Sequence, residues 1–148
     1  MSLDDKLYAD MDKIFVGEIR VNMVVLHNDR PIKVTYFHTG KTGKHGAAKT
    51  IVKGFDVITD KHVEFSDVTS KPIWLPKVTR KEMSLIDLID DHVTVFDDDL
   101  ENNYDYRMNE ADSVTGEIRE YHKNGSHILI MFLFVIGEYR ILSCKLDK

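Results

Sequence analysis

Hydrophobic positions in the first half of the chain alternate with polar ones in short runs. Ile32, Val34 and Tyr36 follow a period of two, which is typical of a strand with one buried face. A polar turn cluster precedes them, and a run of apolar and β-branched residues lies before that cluster. The pattern predicts two β-hairpins, over residues 16–36 with a turn at 27–31 and over residues 47–68 with a turn at 59–61.

The second half of the chain continues with short apolar runs and contains one helical pattern. Ser113 to Tyr121 is the predicted helix, with Asp112 or Ser113 as its cap and with Asn124 and Gly125 as its stop. The other runs predict strands at 82–90, 92–96 and 104–108 and a terminal hairpin over 127–136 and 139–146.

A proline-containing segment divides the two halves. Residues 70–76 include Pro72 and Pro76, and they predict a domain boundary. We therefore predict a first domain over residues 1–77 and a second over residues 78–148. Many short strands with one short helix in two halves indicate a mainly all-β protein, built from two small β-barrels in tandem.

The composition is that of a globular protein, with 43% hydrophobic and 30% charged residues among 148. The longest apolar run, residues 128–136, is too short to cross a bilayer, and the first residues are too acidic for a signal peptide. We therefore expect a cytoplasmic protein with no membrane partner. The single cysteine, Cys144, excludes an intrachain disulfide and a multi-cysteine zinc site.

The net charge of -5 is distributed unevenly along the chain. Residues 1–77 carry 12 Lys and Arg against 10 Asp and Glu, whereas residues 78–148 carry 8 against 15. From Arg30 to Phe55 there are six basic residues and no acid. Such a window is either a solvated face or a patch that binds a polyanion, and both interpretations stay open at this point.

Glycines recur at every third position in residues 39–46, which predicts a tight, mobile loop rather than a strand. Its Gly-Lys-Thr sequence at 40–42 matches the end of a nucleotide-binding P-loop, but Thr35 stands where that motif requires glycine. Lys44 has small or flexible neighbours on both sides. It is either an amine that enters the site of another molecule or a solvated lysine that contacts phosphate non-specifically.

The spacing of the titratable residues does not indicate a catalytic site or a metal-binding site. The seven histidines are scattered, and no serine or cysteine lies in a nucleophile motif. The acidic turn Asp97 to Asp99 with Glu101 lacks the alternating ligands and the glycine of a calcium loop, so a solvated turn is the preferred interpretation. We expect no catalytic residue, no metal site and no bound cofactor, and hence no enzyme activity.

One string of residues is specific enough to indicate a family. It closely resembles the modification loop of the eukaryotic and archaeal translation initiation factor 5A family, which is related to bacterial elongation factor P. The matching residues are Lys41, Thr42, Gly43, Lys44, His45, Gly46, Ala48 and Lys49. Similarity continues before the loop, at residues 23–31, and after it, at residues 54–61 and 75–80.

The resemblance implies a fold and a role. It implies an SH3-like β-barrel followed by an OB-fold, and a translation factor that is the substrate of a modifying pathway rather than an enzyme. A separate deoxyhypusine synthase would transfer an aminobutyl group from spermidine to Lys44, and a hydroxylase would complete hypusine. Thr42, Gly43, His45 and Gly46 would support the modification.

The resemblance also implies partners. The protein would bind the ribosome near its E site, with the modified Lys44 approaching the acceptor end of the peptidyl-tRNA. There it would promote peptide-bond formation at stalling sequences and assist termination. Contacts with the phosphates of RNA are expected from Lys41, Lys49, Lys33 and Lys53. A weak homodimer is a further expectation.

Two alternatives belong to other classes of protein. One is an unmodified structural relative that self-assembles into a lattice, against which the complete motif around Lys44 argues. The other is a general single-strand RNA-binding protein, in which aromatic residues of the OB-fold would stack on bases. Phe96, Tyr104 and Tyr106 are candidates for that role, but they lie among acidic residues.

Overall fold

The structure is a computed structural model that describes residues 5–41 and 47–148, with side chains from Leu7 onward. Its described elements are mostly strands. In chain order they are α1 (Asp5–Tyr8), β1 (Asp12–Phe15), a 3-10 turn (Val16–Glu18), β2 (Val24–His27), β3 (Arg30–Lys41), β4 (Ala48–Asp56), β5 (His62–Val68), β6 (Pro72–Leu75), β7 (Thr79–Ile89), β8 (His92–Asp97), β9 (Asn102–Arg107), α2 (Ser113–Lys123), β10 (Ile128–Val135) and β11 (Glu138–Leu146).

The chain divides into two compact units. The first comprises Met1–Val78 with Val135–Glu138, and the second comprises Thr79–Phe134 with Tyr139–Lys148. The predicted class, mainly β with two small barrels, is confirmed. No helix in the described part of the chain is long and apolar enough to span a membrane.

The first unit contains a four-stranded antiparallel sheet, in the order β2-β3-β4-β5, and a two-stranded pair of β1 with β6. Apolar side chains on the inner faces of these strands exclude water and form the core. Its fully or nearly buried members are Val16, Ile19, Val25, Ile32, Val34, Val52 and Ile73. This barrel is the SH3-like unit that the family resemblance implied.

The second unit contains a five-stranded sheet in the order β11-β10-β7-β8-β9, with α2 packed through Val114 and Ile118. The helix follows its predicted signals: Asp112 precedes it in extended conformation, and Asn124 and the positive-φ Gly125 follow it. The helix runs two residues beyond the predicted end at Tyr121. Its apolar face completes the core beneath the sheet.

The segment predicted as the domain boundary contains a strand that the sequence analysis did not assign. Pro72–Leu75 forms β6 and pairs with β1, with Ile14 opposite Ile73. Pro72 is tolerated because it is the first residue of the strand, where a missing N–H removes no essential ladder bond. Burial of Ile73 makes the pairing part of the first core.

The sequence pattern predicted one strand over residues 16–26, but the structure does not contain a continuous strand there. Val16–Glu18 forms a 3-10 turn, and β2 begins only at Val24. In this turn the Glu18 side chain accepts a hydrogen bond from the Phe15 backbone N–H at 3.0 Å. That contact favours a turn over an extended chain, because it satisfies an N–H at the beginning of the turn.

Candidate functional site

The β3–β4 hairpin carries the sequence motif, and its two strands are paired to their ends. Lys41 is opposite Ala48, and Gly40 is opposite Lys49. Residues 39–41 are therefore strand residues, and the prediction of a loop over 39–46 was wrong at its beginning. Cross-strand pairing satisfies the backbone of Gly40 despite the flexibility of glycine. The connection between the strands comprises residues 42–47.

The proposed modification residues fall in that connection. Lys44 and its predicted supporting residues, Thr42, Gly43, His45 and Gly46, lie outside the described residues. Their roles stay predictions. The structure describes the two strand ends from which the connection begins and ends, at Lys41 and Ala48.

Hydrogen bonds hold the end of the hairpin from which the connection starts. The hydroxyls of Thr39 and Thr50 are 2.8 Å apart, and Thr50 is 1% exposed. On the other side, the Thr69 N–H donates to the Ala48 carbonyl at 2.9 Å. Both strands that flank the connection are thus tied to neighbours, so the connection starts from a fixed base.

Close contact between the strands requires glycine at position 54. A Cβ atom added to Gly54 would lie 2.2 Å from the backbone oxygen of Lys33 and 2.9 Å from the Ile32 side chain. Near this point the register shifts between Val34 and Tyr36, so Thr35 is an extra residue in β3. The Thr35 hydroxyl donates to the Lys53 carbonyl at 3.2 Å and holds this bulge in place.

The bulge changes which face Tyr36 occupies. Period-two alternation predicted Tyr36 on the same face as the core residues Ile32 and Val34, and this was wrong. Because Thr35 adds one residue, Tyr36 points away from the core and is 46% exposed. A sequence pattern that is read with a constant period does not show this reversal.

Three of the four predicted phosphate-binding lysines share one face of the sheet. Lys49 and Lys53 alternate along β4 with the buried residues Thr50 and Val52. Lys33 is opposite Phe55, so it also lies on this outer face. Lys41 does not, because it is one residue beyond Gly40, the partner of Lys49. None of these four lysines forms an ion pair within the described residues.

The environment of Lys53 differs from that of the other lysines. Its ammonium is 5.2 Å from the centroid of the Tyr36 ring, a cation–π arrangement. On the adjacent strand β5, Glu64 is the residue opposite Lys53. The acid-free window of the sequence therefore has an acidic neighbour in space, which cross-strand pairing supplies.

Asp56, the last residue of β4, stabilises the turn at the end of the hairpin opposite the connection. It is 4% exposed, and Arg30 donates to its two carboxylate oxygens at 2.7 and 3.2 Å. The backbone N–H groups of Ile58 and Thr59 also donate to it. Burial raises the pKa of Asp56, but these hydrogen bonds outweigh burial and hold the pKa below its ordinary value. The ionised carboxylate thus orders the turn after β4.

Asp97 stabilises the acidic turn that follows β8 in a similar way, by accepting hydrogen bonds. Lys81 donates to Asp97 at 2.6 Å, and the N–H groups of Asp99 and Leu100 donate to its other oxygen. The bond from Lys81 holds the pKa of Asp97 below its usual range. Among the described residues, no cluster of His, Cys, Asp or Glu could hold a metal ion.

Two of the three aromatic candidates of the second unit, Tyr104 and Tyr106, are engaged in packing. The Tyr106 ring lies 4.8 Å from both the Phe132 and Tyr139 rings and 5.9 Å from Phe134, centroid to centroid. Tyr104 is half-buried and packs against the same core. These contacts hold the partly buried Tyr106 ring against the core, which argues against a role as an exposed stacking platform.

Comparisons with known proteins match both units. Residues 12–71 match a family model described as translation initiation factor 5A-like, N-terminal. Residues 77–145 match a model described as eukaryotic elongation factor 5A hypusine, DNA-binding OB fold. The second description agrees with the five-stranded sheet and helix of the second unit.

Curated relatives are similar along most of the chain. Eukaryotic translation initiation factor 5A-1 of Arabidopsis thaliana is 30% identical over 130 residues, which cover 87% of this chain and 82% of the relative. The 5A-4 protein of Solanum tuberosum is 31% identical over 130 residues, with the same coverage of both chains. Similarity on this scale extends over both units.

Solved structures agree with this fold. A translation initiation factor eIF-5A family protein from Naegleria fowleri superposes with a TM-score of 0.84 at 28% identity, and the match covers 92% of this chain and 99% of that one. Factor 5A from Methanococcus jannaschii superposes with a TM-score of 0.71 at 20% identity, over 93% and 97% of the two chains. The second likeness concerns the fold alone.

Proposed function

This chain belongs to the translation initiation factor 5A family, and on that premise we propose that it acts on the ribosome through Lys44. The observation that carries the proposal is the motif from Lys41 to Lys49, which falls within the matched N-terminal family model. The protein would promote peptide-bond formation at stalling sequences and assist termination.

The proposed chemistry belongs to other molecules. A synthase would transfer the aminobutyl group of spermidine to the Lys44 amine, with 1,3-diaminopropane as the leaving group, and a hydroxylase would act on the product. The modified side chain is longer and has a second amine, so it can bring additional positive charge to the tRNA without a bulkier loop. Peptide transfer would remain a reaction of the ribosome, with the factor helping to orient the reacting groups.

The described strands suit this role because they give the connection a fixed base. Thr39 bonded to Thr50, and Ala48 bonded to Thr69, limit motion at both strand ends. A defined base reduces the entropy that binding must overcome when a side chain enters a narrow site. The partner would be the ribosomal E site, with the acceptor end of the peptidyl-tRNA next to Lys44. Cytoplasmic location and a weak homodimer stay predictions.

Translation of a proline-run template tests this function. Reconstituted ribosomes would receive protein that has been modified by the synthase, either with the natural sequence or with Lys44→Arg. The arginine variant keeps a positive charge but cannot accept the aminobutyl group, so we expect stimulation of peptide synthesis to be lost. Lys61→Arg, at an exposed turn of the same unit, is the matched control and should retain stimulation. Full stimulation by Lys44→Arg would contradict the proposal.

A further inference from the structure

Tyr36 is an exposed aromatic residue with no role in the function proposed above. Among the Phe, Tyr and Trp side chains that the structure describes, Phe15 and Tyr36 are the exposed ones, at 54% and 46%. Phe15 ends β1, whereas Tyr36 lies in β3 on the outer face of the lysine-bearing sheet. Exposing a tyrosine ring forgoes the free energy of burial, so its position on this face calls for an explanation.

The surroundings of Tyr36 form a stripe along the hairpin. Successive outer-face pairs of β3 and β4 lie about 7 Å apart, which is the distance of two strand residues. The stripe therefore runs from the bulge towards the connection that contains Lys44. Its pairs are Tyr36 with Lys53, His38 with Ile51, and Gly40 with Lys49.

The stripe combines the two side-chain types that bind single-stranded nucleic acid. Aromatic rings stack on bases irrespective of sequence, and nearby cations neutralise the phosphates. The Lys53 ammonium, 5.2 Å from the Tyr36 ring centroid, is close enough for both to contact one nucleotide. A base that stacks on the ring would displace the ammonium, which could then contact the phosphate.

Charge complementarity favours an anionic partner for this face. Lys33, Lys49 and Lys53 lie on it, and on the described residues of β3, β4 and β5 the one acid of this face is Glu64. Ile51, 40% exposed, continues the apolar surface beside His38. A duplex would present phosphates without bases to stack upon, so the ring of Tyr36 favours unpaired nucleotides.

We propose that the outer face of β3 and β4 binds unpaired RNA nucleotides, with Tyr36 as the stacking residue and Lys33, Lys49 and Lys53 as phosphate contacts. This proposal rests on the proposed function, because it names unpaired RNA as the form of RNA that the hairpin would contact beside Lys44. It assigns single-strand binding to the first unit, in a place different from the OB-fold aromatics.

Fluorescence anisotropy with a labelled single-stranded oligoadenylate tests the assignment, using the unmodified full chain. Tyr36→Ala should weaken binding about 5- to 100-fold, as expected for loss of one stacked base, and Tyr36→Phe should bind within about twofold of the natural protein. Phe15→Ala is the matched control, because it removes a similarly exposed aromatic ring from the same unit, and its affinity should be unchanged. Lys53→Gln should reduce the slope of log K against log salt by about 0.7.

Unchanged binding by Tyr36→Ala, or binding of duplex RNA that is as tight as binding of the single strand, would overturn the assignment. The same holds if the natural protein does not bind the oligonucleotide. Chemical shifts of isotopically labelled natural protein provide a measurement without substitutions, and those of Tyr36 and Ile51 should change on titration. The assay needs neither ribosomes nor modified Lys44, so its failure is distinguishable from failure of the proposed function.

Discussion

At position 54 the hairpin leaves space for a hydrogen atom and for no larger group. The carbonyl of Lys33 and the Ile32 side chain occupy the volume that a β-carbon would need. At Tyr36 a large side chain is exposed instead, because the extra residue Thr35 places its ring on the outer face rather than in the core. Single residues of this hairpin thus decide both its packing and the face that it presents.

Gly54→Ala should destabilise the first unit. The added methyl group would lie within 3 Å of backbone and side-chain atoms of β3, so the strands must separate, at a cost of about 3 kcal/mol in the free energy of unfolding. Gly116→Ala is the control, because nothing lies within 4 Å of its added Cβ in α2. It should stabilise by about 0.5–1 kcal/mol. Urea denaturation measures both, and equal effects of the two substitutions would contradict the packing argument.

Asp56→Asn should destabilise the protein in a pH-dependent way. The pKa of Asp56 lies below its ordinary value of 3.8, so its contribution is present above that pH and is lost as pH falls through the folded-state pKa. We expect the variant to lose about 2 kcal/mol at neutral pH, because an amide is a weaker acceptor for Arg30.

The comparison is made by urea denaturation at neutral pH and again in acid. The difference between the natural protein and Asp56→Asn should shrink as the natural carboxylate becomes protonated. A difference that stays constant across this range would show that the ionised form of Asp56 is not what stabilises the turn.

At the scale of elements, sequence patterns predicted most strands and α2 but not their limits. Short apolar runs separated by turn residues identified the β2–β3, β4–β5 and β10–β11 hairpins, whereas the pairing of β3 with β4 was not predicted. Residues 39–41 were assigned to a loop because recurring glycines leave the backbone free to adopt positive φ angles, yet pairing with Ala48 to Thr50 keeps these residues in a strand. Pro72 concealed β6 for a related reason, because its strand depends on the distant partner β1.

The candidate site was predictable to a similar extent. The lysines could be named from the sequence, but their distribution over two faces depends on the bulge at Thr35, which alternation alone does not indicate. The proximity of Glu64 to Lys53 depends on the pairing of β4 with β5. Cross-strand geometry, rather than local sequence, therefore determines which charges act together.

The contact between Thr39 and Thr50 should stabilise the end of the hairpin. Replacing either hydroxyl removes a hydrogen bond across β3 and β4, and in a double-mutant cycle of Thr39→Val and Thr50→Val we expect a coupling of about 1 kcal/mol. Hydrogen exchange at the Lys49 amide should accelerate more than exchange at Val95, which lies in the other unit. A coupling near zero, with exchange unchanged at Lys49, would mean that the hydroxyl pair does not fix the hairpin base.

At the scale of the molecule, the two units differ in charge and in the use of their aromatic residues. Residues 1–77 are mildly basic and residues 78–148 are strongly acidic. The first unit exposes Tyr36 beside lysines, whereas the second uses Tyr106 in its core. Contact with an anionic partner is therefore expected mainly from the first unit.

The central claim is that Lys44 carries a spermidine-derived modification and acts with the ribosome. Peptide mapping by mass spectrometry of the protein isolated from its own actively translating cells tests the modification most directly. We predict that the peptide containing Lys44 carries the mass of an added aminobutyl group, with or without one further oxygen, while peptides containing Lys33, Lys53 and Lys61 have their unmodified masses. An unmodified Lys44 peptide from those cells would contradict the claim.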